Sequence, residues 1–337
     1  MKQNEIIINN KYIIEENIGK GQFGSVYKGH HKKTRELIAI KIELSNSPIK
    51  LLKNETTILN YLRNSGCRNI PLVHWFGLFS NNTCLIMSLY DYSLYDFIIK
   101  KEMSINQIQY IILNCIDIIE NIHNFFVLHR DIKPQNFMIK NNEIFIIDFG
   151  FSTFYIGDDK KHLPMKNVDK QYTEHSAIIG TPKYVSPNIH NGITPSRRDD
   201  LISIGYIIIY LLNKTLAWDI LPDFENNHNY DIINILHPKN IYIKELKTIE
   251  NIEKMLLSQD DVTPSIKKNE TNSHFSNGPV ADKNNFYYDN RPKILSCRCN
   301  KQKINQILLY YIKYCYSLSY EEEPNYNSIK QLFTKMI

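Results

Sequence analysis

Two neighbouring motifs carry the residue types that could do chemistry: H-R-D-I-K-P-Q-N at residues 129–136 and D-F-G at residues 148–150. A carboxylate such as that of Asp131 can accept the proton of a hydroxyl group, and Lys133 can offset negative charge that develops nearby. Asn136 and Asp148 offer hard oxygen ligands of the kind that Mg²⁺ takes. We therefore expect a site where a hydroxyl group reacts at a negatively charged, metal-bound centre.

The segment between these motifs predicts how they come together. Residues 137–139 and 144–147 are apolar runs, and the polar residues 140–143 lie between them. Apolar runs of this length around a short polar connection are typical of a β-hairpin. Because the two strands of a hairpin are antiparallel, Asn136 and Asp148 are expected at the same end of it.

Three glycines near the N-terminus, Gly19, Gly21 and Gly24, form a G-x-G-x-x-G pattern. Dinucleotide-binding folds share this pattern, but there it opens a helix. Here residues 25–29 alternate in polarity, which favours a strand. We therefore expect the glycines to form the turn of a β-hairpin whose backbone N–H groups can close over phosphates.

A single lysine, Lys41, interrupts the apolar strand pattern of residues 37–42. Burying an ammonium group without a partner is costly, so this residue is either an edge lysine that reaches solvent or one that pairs with a carboxylate. Residues 49–63 have apolar side chains at helical spacing and contain one acid, Glu55. We expect Glu55 to pair with Lys41; the alternative is a solvated glutamate on the helix face.

The remaining pattern predicts the elements that support these residues. In chain order they are strands at 72–79 and 83–89, a helix near Leu94 and a helix within 104–126. Ser104 and Gln107 indicate a capping box at the start of the last of these. A further helix opens at Asp199 and Asp200 and is apolar on all sides, so it is expected to be buried, with Asp200 capping the backbone of the catalytic loop.

Composition and charge set further bounds. The 337 residues are 43% hydrophobic, and the net charge of +5 gives little reason to expect a nucleic-acid or membrane partner. The longest largely apolar run, residues 201–212, is too short to span a bilayer, and the N-terminus resembles no signal peptide. We expect a monomer in the cytoplasm or nucleus, with reduced thiols at the scattered cysteine positions 67, 84, 115, 297, 299 and 315.

The two motifs resemble the catalytic loop and the D-F-G triplet of protein kinases. Further strings are similar to the casein kinase 1 family, with the vaccinia-related kinases as a close second. They are V-S-P-N-I-H-N-G at residues 185–192, S-R-R-D-D-L at 196–201, L-A-W at 216–218 and P-N-Y at 324–326. The resemblance extends over residues 10–337, except for about 220–290.

The resemblance implies an α+β fold with a small β-rich lobe at residues 10–89, a hinge at 88–92 and a larger helical lobe at 93–337. Residues 220–290 depart from the family and are expected to form a polar insertion. The implied activity is transfer of the γ-phosphate of ATP, with Mg²⁺, to Ser or Thr hydroxyls of protein substrates. It also implies activity without phosphorylation of the activation segment, residues 151–179.

Carried over residue by residue, the resemblance assigns three groups of site residues. The catalytic group is Asp131, Lys133 and Thr181. Contacts to ATP are assigned to Gly19, Gly21, Gly24, Val26, Ala39, Lys41, Glu55, Met87, Leu89 and Asp96, and metal ligation to Asn136 and Asp148. Asp96 is equally explained as an acid favoured at a helix N-terminus. Lys183 is the residue assigned to a phosphate or acidic group on the substrate.

Two alternatives belong to other functional classes. The first is a scaffold of kinase type that binds ATP and partners without phosphoryl transfer; the intact glycines, Lys41, Asp131, Asn136 and Asp148 argue against it. The second is a small-molecule phosphotransferase. Such enzymes usually lack the Lys-Pro pair found at 133–134 and the Gly-Thr pair found at 180–181.

Overall fold

The computed structural model describes residues 5–21, 24–47, 49–165, 178–219, 235, 237–257 and 298–337. Its first strands are β1 (Ile7–Ile8), β2 (Tyr12–Gly21), β3 (Gly24–His31), β4 (Leu37–Glu43), β5 (Val73–Phe79) and β6 (Asn82–Ser88). They form an antiparallel sheet in the order β1-β2-β3-β4-β6-β5. The predicted glycine hairpin joins β2 to β3, with Gly21 paired to Gly24, and its tip at residues 22–23 lies outside the described residues.

One helix, α1 (Leu52–Asn64), packs against β5 and β6. It begins three residues later than the predicted segment because the Glu43 carboxylate caps its start. Oε1 of Glu43 accepts hydrogen bonds from the backbone N–H groups of Leu51 (2.6 Å) and Leu52 (3.3 Å). Glu43 ends β4, so this cap ties the strand that carries Lys41 to the helix that carries Glu55.

The second lobe is mainly helical. Its helices are α2 (Leu94–Lys100), α3 (Ile105–Asn124), α4 (Pro187–His190), α5 (Arg197–Asn213), α6 (Pro238–Leu246), α7 (Ile249–Leu257), α8 (Arg298–Ser317) and α9 (Tyr326–Thr334). The predicted capping box of Ser104 and Gln107 opens α3. Residues 199–211 of α5 are buried throughout, as the apolar pattern predicted. A Cβ on Gly205 would lie 2.2 Å from Cδ1 of Ile312, so glycine permits the close approach of α5 and α8.

Short strands complete the second lobe: β7 (Tyr92–Ser93), β8 (Val127–Leu128), β9 (Phe137–Lys140), β10 (Glu143–Ile146) and β11 (Thr153–Phe154). The predicted hairpin is the antiparallel pair of β9 and β10. Its turn residues, Asn141 and Asn142, have φ angles of 52° and 64°, which asparagine tolerates better than most residues. The predicted α+β, two-lobed fold is confirmed.

The expected polar insertion at 220–290 is wrong for residues 237–257. These residues form α6 and α7, which bury Ile243, Lys247, Ile252 and Leu256. The apolar positions recur at helical spacing; α7 packs against α8 and α6 against α4, so this part belongs to the core of the helical lobe. Residues 220–234, 236 and 258–297 lie outside the described residues.

Four cysteines in the described residues are buried as free thiols: Cys67, Cys84, Cys115 and Cys315. Burial raises the pKa of Cys67 and of Cys84 to about 12, so these thiols are poorly reactive at neutral pH.

Among the helices that the structure describes, none is long and apolar enough to cross a membrane.

Candidate active site

Asp200, near the start of α5, fixes the backbone of the loop that carries Asp131. Its carboxylate accepts hydrogen bonds from the N–H groups of His129 (2.8 Å) and Arg130 (2.9 Å). His123 lies 3.1 Å away through Nε2. Burial opposes ionisation of Asp200, but its hydrogen bond to His123 and the nearby histidines outweigh burial and lower its pKa. The predicted capping position of Asp200 is therefore observed.

The imidazole of His129 connects the catalytic loop to the end of β10. Its Nε2–H donates to the carbonyl of Ile147 (3.0 Å), and its Nδ1 accepts from the backbone N–H of Asp131 (3.3 Å). Burial lowers the pKa of His129, so the ring is neutral and this tautomer is fixed. Its ring also lies 4.9 Å from that of Phe149, edge to face. One buried imidazole thus contacts the backbone of Asp131 and both neighbours of Asp148, Ile147 and Phe149.

Asp131, Lys133 and Thr181 form one cluster of charge and hydrogen bonds. Oδ1 of Asp131 accepts from the Thr181 N–H (3.0 Å) and hydroxyl (2.8 Å). Oδ2 lies 2.8 Å from Nζ of Lys133, which also donates to the Thr181 hydroxyl at 3.0 Å. Asp131 is only 4% exposed, so its carboxylate is shielded from bulk water, whereas the Lys133 side chain is 22% exposed. A buried carboxylate beside a lysine and a hydroxyl suits proton acceptance next to a negatively charged group.

Asn136 and Asp148 have the chemistry of a magnesium site. Asn136 donates both its hydrogen bonds through Nδ2, to the carbonyl and to Oδ2 of Asp131, at 2.8 and 3.1 Å. This orientation leaves its side-chain oxygen Oδ1 available as a ligand. The backbone N–H of Ile147 donates to the Asn136 carbonyl at 2.9 Å, which brings the two ends of the hairpin together. One buried oxygen ligand from Asn136 and one solvent-exposed carboxylate from Asp148 fit Mg²⁺, which keeps several waters.

Asp148 has the exposure and charge that a metal ligand needs. Its side chain is 42% exposed, so one face is open to solvent. Burial of the rest opposes ionisation, but Lys41 and Lys133 outweigh it and lower the pKa of Asp148. The carboxylate is therefore charged at neutral pH. These residues fit the predicted metal site.

Lys41 pairs with Glu55 as the sequence predicted. Its Nζ donates to the two carboxylate oxygens of Glu55 at 2.7 and 3.0 Å, and to Oδ1 of Asp148 at 3.2 Å. The Glu55 side chain is 1% exposed. Burial alone would lower the pKa of Lys41, but the carboxylates of Asp148 and Glu55 outweigh it and raise that pKa, so the ammonium stays charged. The first lobe and the D-F-G segment therefore meet at one lysine.

The assigned nucleotide contacts lie along the sheet next to Lys41. Ala39 pairs with Met87 between β4 and β6, and both lie in one apolar cluster with Leu89 at its edge. Val26 pairs with Lys41 across β3 and β4. These positions place small and apolar side chains on the strands that flank the lysine. Their contacts with a base stay a prediction.

The assigned glycines differ in what the fold demands of them. A Cβ on Gly24 would lie 2.1 Å from the carbonyl oxygen of Ile42, so only glycine fits there. A Cβ on Gly21 would lie in open space, and one on Gly19 would make an ordinary contact with Cβ of Val26 at 3.8 Å. Their role in binding phosphates through backbone N–H groups also stays a prediction.

Two assigned residues have local partners in the structure. Asp96 completes a capping box at the start of α2, where its Oδ2 accepts from the Ser93 hydroxyl (2.7 Å) and N–H (3.3 Å). The ordinary helix-capping explanation accounts for this residue. Lys183 forms an ion pair with Asp219, with Nζ at 2.8 Å from Oδ1 and 2.9 Å from Oδ2. Of the hydroxyls in the activation segment, Thr173 and Ser176 lie outside the described residues.

Asn54 is a site residue that the sequence did not reveal. It precedes Glu55 on α1, and its Nδ2 donates to the carbonyls of Gly150 (2.9 Å) and Ser152 (2.9 Å). It therefore ties the helix of Glu55 directly to the segment that follows the D-F-G motif. An asparagine beside a functional acid gives no signal in the sequence, because its partners lie almost 100 residues away.

Replacing Asn54 by alanine is expected to loosen this tie. The two carbonyls lose a donor, which costs about 1–3 kcal/mol when the freed groups are shielded from water. Hydrogen exchange should become faster in α1 and in residues 149–152, and the free energy of unfolding should fall. Asn60→Ala, at an exposed position of the same helix, is the control. Equal exchange in both variants would show that Asn54 does not hold the two segments together.

Comparison with known proteins agrees with the geometry. The protein kinase domain family matches residues 12–274, which is more than half of the 337-residue chain. The matched range includes the glycine hairpin, the Lys41–Glu55 pair, the catalytic loop and the D-F-G segment. Helices α8 and α9 lie beyond it, yet they pack into the same hydrophobic core. The chain therefore belongs to the protein kinase domain family.

Proposed function

We propose that this protein is an ATP-dependent serine/threonine kinase of casein kinase 1 type that acts on protein substrates. The observation that carries the proposal is the cluster of the buried Asp131 with the partly exposed Lys133 and Thr181, in which the Thr181 hydroxyl lies 2.8 Å from the Asp131 carboxylate. The Thr181 hydroxyl already donates a hydrogen bond to Asp131, the candidate base, so the hydroxyl of a substrate Ser or Thr can bind in the same way. The intact Lys41–Glu55 pair argues that the nucleotide site is also formed.

A substrate hydroxyl can donate to Asp131 only when one acceptor position of its carboxylate is free. Its two oxygens accept four hydrogen bonds, from the N–H and hydroxyl of Thr181, from Asn136 and from Lys133. This fills the lone pairs of a carboxylate. The substrate hydroxyl must therefore replace one donor. The Thr181 hydroxyl is the best candidate, because rotation removes it while the Thr181 N–H keeps the segment in place.

In the transfer step, Asp131 accepts the proton of the substrate hydroxyl. The substrate oxygen bonds to the γ-phosphorus, and the bond from that phosphorus to the β,γ-bridging oxygen breaks, so ADP leaves. Lys133 offsets the negative charge on the transferred group, and Lys41 holds the other phosphates. Mg²⁺ bound by Asn136 and Asp148 would supply further positive charge at the phosphates. Most of the rate enhancement then comes from positioning and electrostatics.

Contacts of the family-like strings support the subfamily assignment. Ser186 and Asn188 both donate to Oδ1 of Asp199, at 2.5 and 2.9 Å. His190 accepts from the buried Lys247 at 3.0 Å. These residues belong to the strings at 185–192 and 196–201 that resemble casein kinase 1. Each of them has a buried partner, so the two strings pack together next to residues 181–185, which we call the substrate segment.

Three peptides that differ only in the acceptor residue test this proposal. Transfer of labelled γ-phosphate from Mg-ATP is measured with Ser, Thr or Tyr at the acceptor position, and with casein. We expect the Ser and Thr peptides to be used and the Tyr peptide to be about 100-fold slower, because a longer side chain misplaces the reacting oxygen. Equal use of Tyr would contradict the specificity. ATP binding without any transfer would favour the scaffold alternative.

A further inference from the structure

Lys183 lies within the substrate segment, and its side chain forms an ion pair with another residue of the protein. It follows Thr181 by two residues, so its backbone is within about 7 Å of the residue that contacts Asp131. Its Nζ contacts both oxygens of Asp219, and it also lies 4.7 Å from the ring centre of Tyr210. A lysine at this place would attract acidic substrates, but its charge is met by a carboxylate 2.8 Å away.

Asp219 is held in place for this pairing. Its Oδ2 accepts hydrogen bonds from the Leu216 N–H (2.9 Å) and the Thr215 hydroxyl (3.3 Å), in addition to Lys183. The neighbouring residue, Trp218, donates from its ring nitrogen to the carbonyl of Lys183 at 2.8 Å. Backbone and side chain of Lys183 are therefore fixed by consecutive residues of one turn. These contacts hold the Lys183–Asp219 ion pair in one geometry.

From this geometry we propose that Asp219 is a specificity residue that removes selectivity for phosphorylated or acidic substrates at the Lys183 subsite. A phosphate that approaches Lys183 also meets the carboxylate of Asp219, and a phosphate carries close to two negative charges at neutral pH. Attraction to the lysine and repulsion by the aspartate then largely cancel. The subsite accepts an uncharged side chain. This inference rests on the proposed function and names the substrate class for it.

Peptide scanning tests the inference. One position at a time, from four residues before the acceptor Ser to four after it, carries alanine, aspartate or phosphoserine. We expect the wild type to show less than about a twofold preference for phosphoserine over alanine at every position. Asp219→Asn keeps the acceptor for Leu216 and Thr215 but removes the charge, and should raise the preference about tenfold or more at one position.

Two further variants make the outcome specific. The double variant Lys183→Met with Asp219→Asn should lose the preference for phosphoserine that Asp219→Asn gains, because that preference depends on a Lys183 without its carboxylate partner. Asp117→Asn makes the same change of charge on α3, where Asp117 pairs with Lys330, and should give the wild-type profile. A strong preference for phosphoserine in the wild type, or an unchanged profile in Asp219→Asn, would overturn the inference.

The failure of the proposed function is separate from this result. If the wild type transfers phosphate to no alanine-series peptide, the proposed kinase activity is wrong. Binding of fluorescently labelled phosphopeptides, measured by anisotropy, reports on the Lys183 subsite without transfer. Tighter binding by Asp219→Asn than by the wild type supports the inference even then, and equal binding overturns it.

Discussion

Asp131→Asn is expected to lower kcat for peptide phosphorylation by about 10²- to 10⁴-fold, the range that general base catalysis contributes. Asparagine keeps the shape of the side chain, and its Oδ1 can still accept from the Thr181 N–H and hydroxyl. It cannot take a proton from the substrate, and its amide nitrogen would face the ammonium of Lys133 where a carboxylate oxygen now lies. The effect should therefore fall on kcat.

Affinity for ATP separates this explanation from simple unfolding. Lys41 and Glu55 do not contact Asp131, so ATP binding by Asp131→Asn should stay within about twofold of the wild type when measured by calorimetry. The melting temperature gives a second check on folding. A variant that keeps its activity, with ATP binding and stability unchanged, would show that Asp131 is not the base.

Lys247→Met has the second large expected effect, because Lys247 holds the substrate segment from below. Its side chain is fully buried, and Nζ donates to the carbonyls of Pro182 and Val185, both at 2.7 Å. The third contact is Nε2 of His190 at 3.0 Å. The neutral amine has two N–H donors for these three acceptors, and the ammonium form has three. Methionine fills the space but leaves all three acceptors without a donor.

The loss should therefore appear in the use of the protein substrate. Pro182 and Val185 flank Lys183 and follow Thr181, so a looser segment misplaces the substrate hydroxyl. We expect kcat/KM for peptide to fall about 10- to 100-fold, since two or more unsatisfied buried carbonyls cost about 1–3 kcal/mol each. The affinity for ATP should not change. A variant with wild-type kcat/KM would contradict this role.

Lys247 also predicts a dependence of stability on pH. Burial lowers its pKa well below the ordinary value, with only partial compensation from Asp219. Above the folded-state pKa and below the unfolded-state value, the unfolded chain binds more protons than the folded one. The wild type should therefore gain stability as pH rises through this window, relative to Lys247→Met, by up to about 1.4 kcal/mol per pH unit. Chemical denaturation at pH 7, 8 and 9 measures the difference.

The chosen pH range and a control variant exclude two other causes of a pH-dependent difference in stability. Burial lowers the pKa of His190 to about 2, and in the unfolded chain histidine titrates near pH 6.5. Histidine therefore adds little between pH 7 and 9. Lys244→Met, which removes a surface contact to Asn191 from the preceding helix, separates burial from the loss of one positive charge. A stability difference that falls with pH would show that the sign is wrong.

Local sequence features determined the elements that carry the chemistry. Alternation placed β3, and an apolar run placed β4. The apolar runs around residues 140–143 placed the β9–β10 hairpin, and Ser104 with Gln107 fixed the start of α3. The pair of Lys41 and Glu55 was predictable as well. A lysine in an apolar strand needs a carboxylate, and the next helix offers one acid. Hydrophobic periodicity and local composition predict these elements because both depend only on residues that are close together in the chain.

Tertiary structure decided what the substrate segment rests on. Residues 237–257 look polar and insertion-like in isolation, yet they fold as helices because α7 packs against α8, and Ile243, Ile252 and Leu256 join the hydrophobic core. The ion pair of Lys183 with Asp219 joins residues 36 positions apart, and Lys247 reaches Pro182 across 65. No local pattern indicates which distant polar groups will meet.

The physical reason is that burial sets the need for a partner, while packing decides which group supplies it. Nothing in the local sequence distinguishes Lys247 from other lysines. In the fold, the rings of Tyr206 and Trp218 enclose it and exclude water, so its ammonium group depends on hydrogen bonds to three acceptors of the protein. The sequence determined that this chain is built for phosphoryl transfer. The tertiary structure decided which charges a substrate meets beside Thr181.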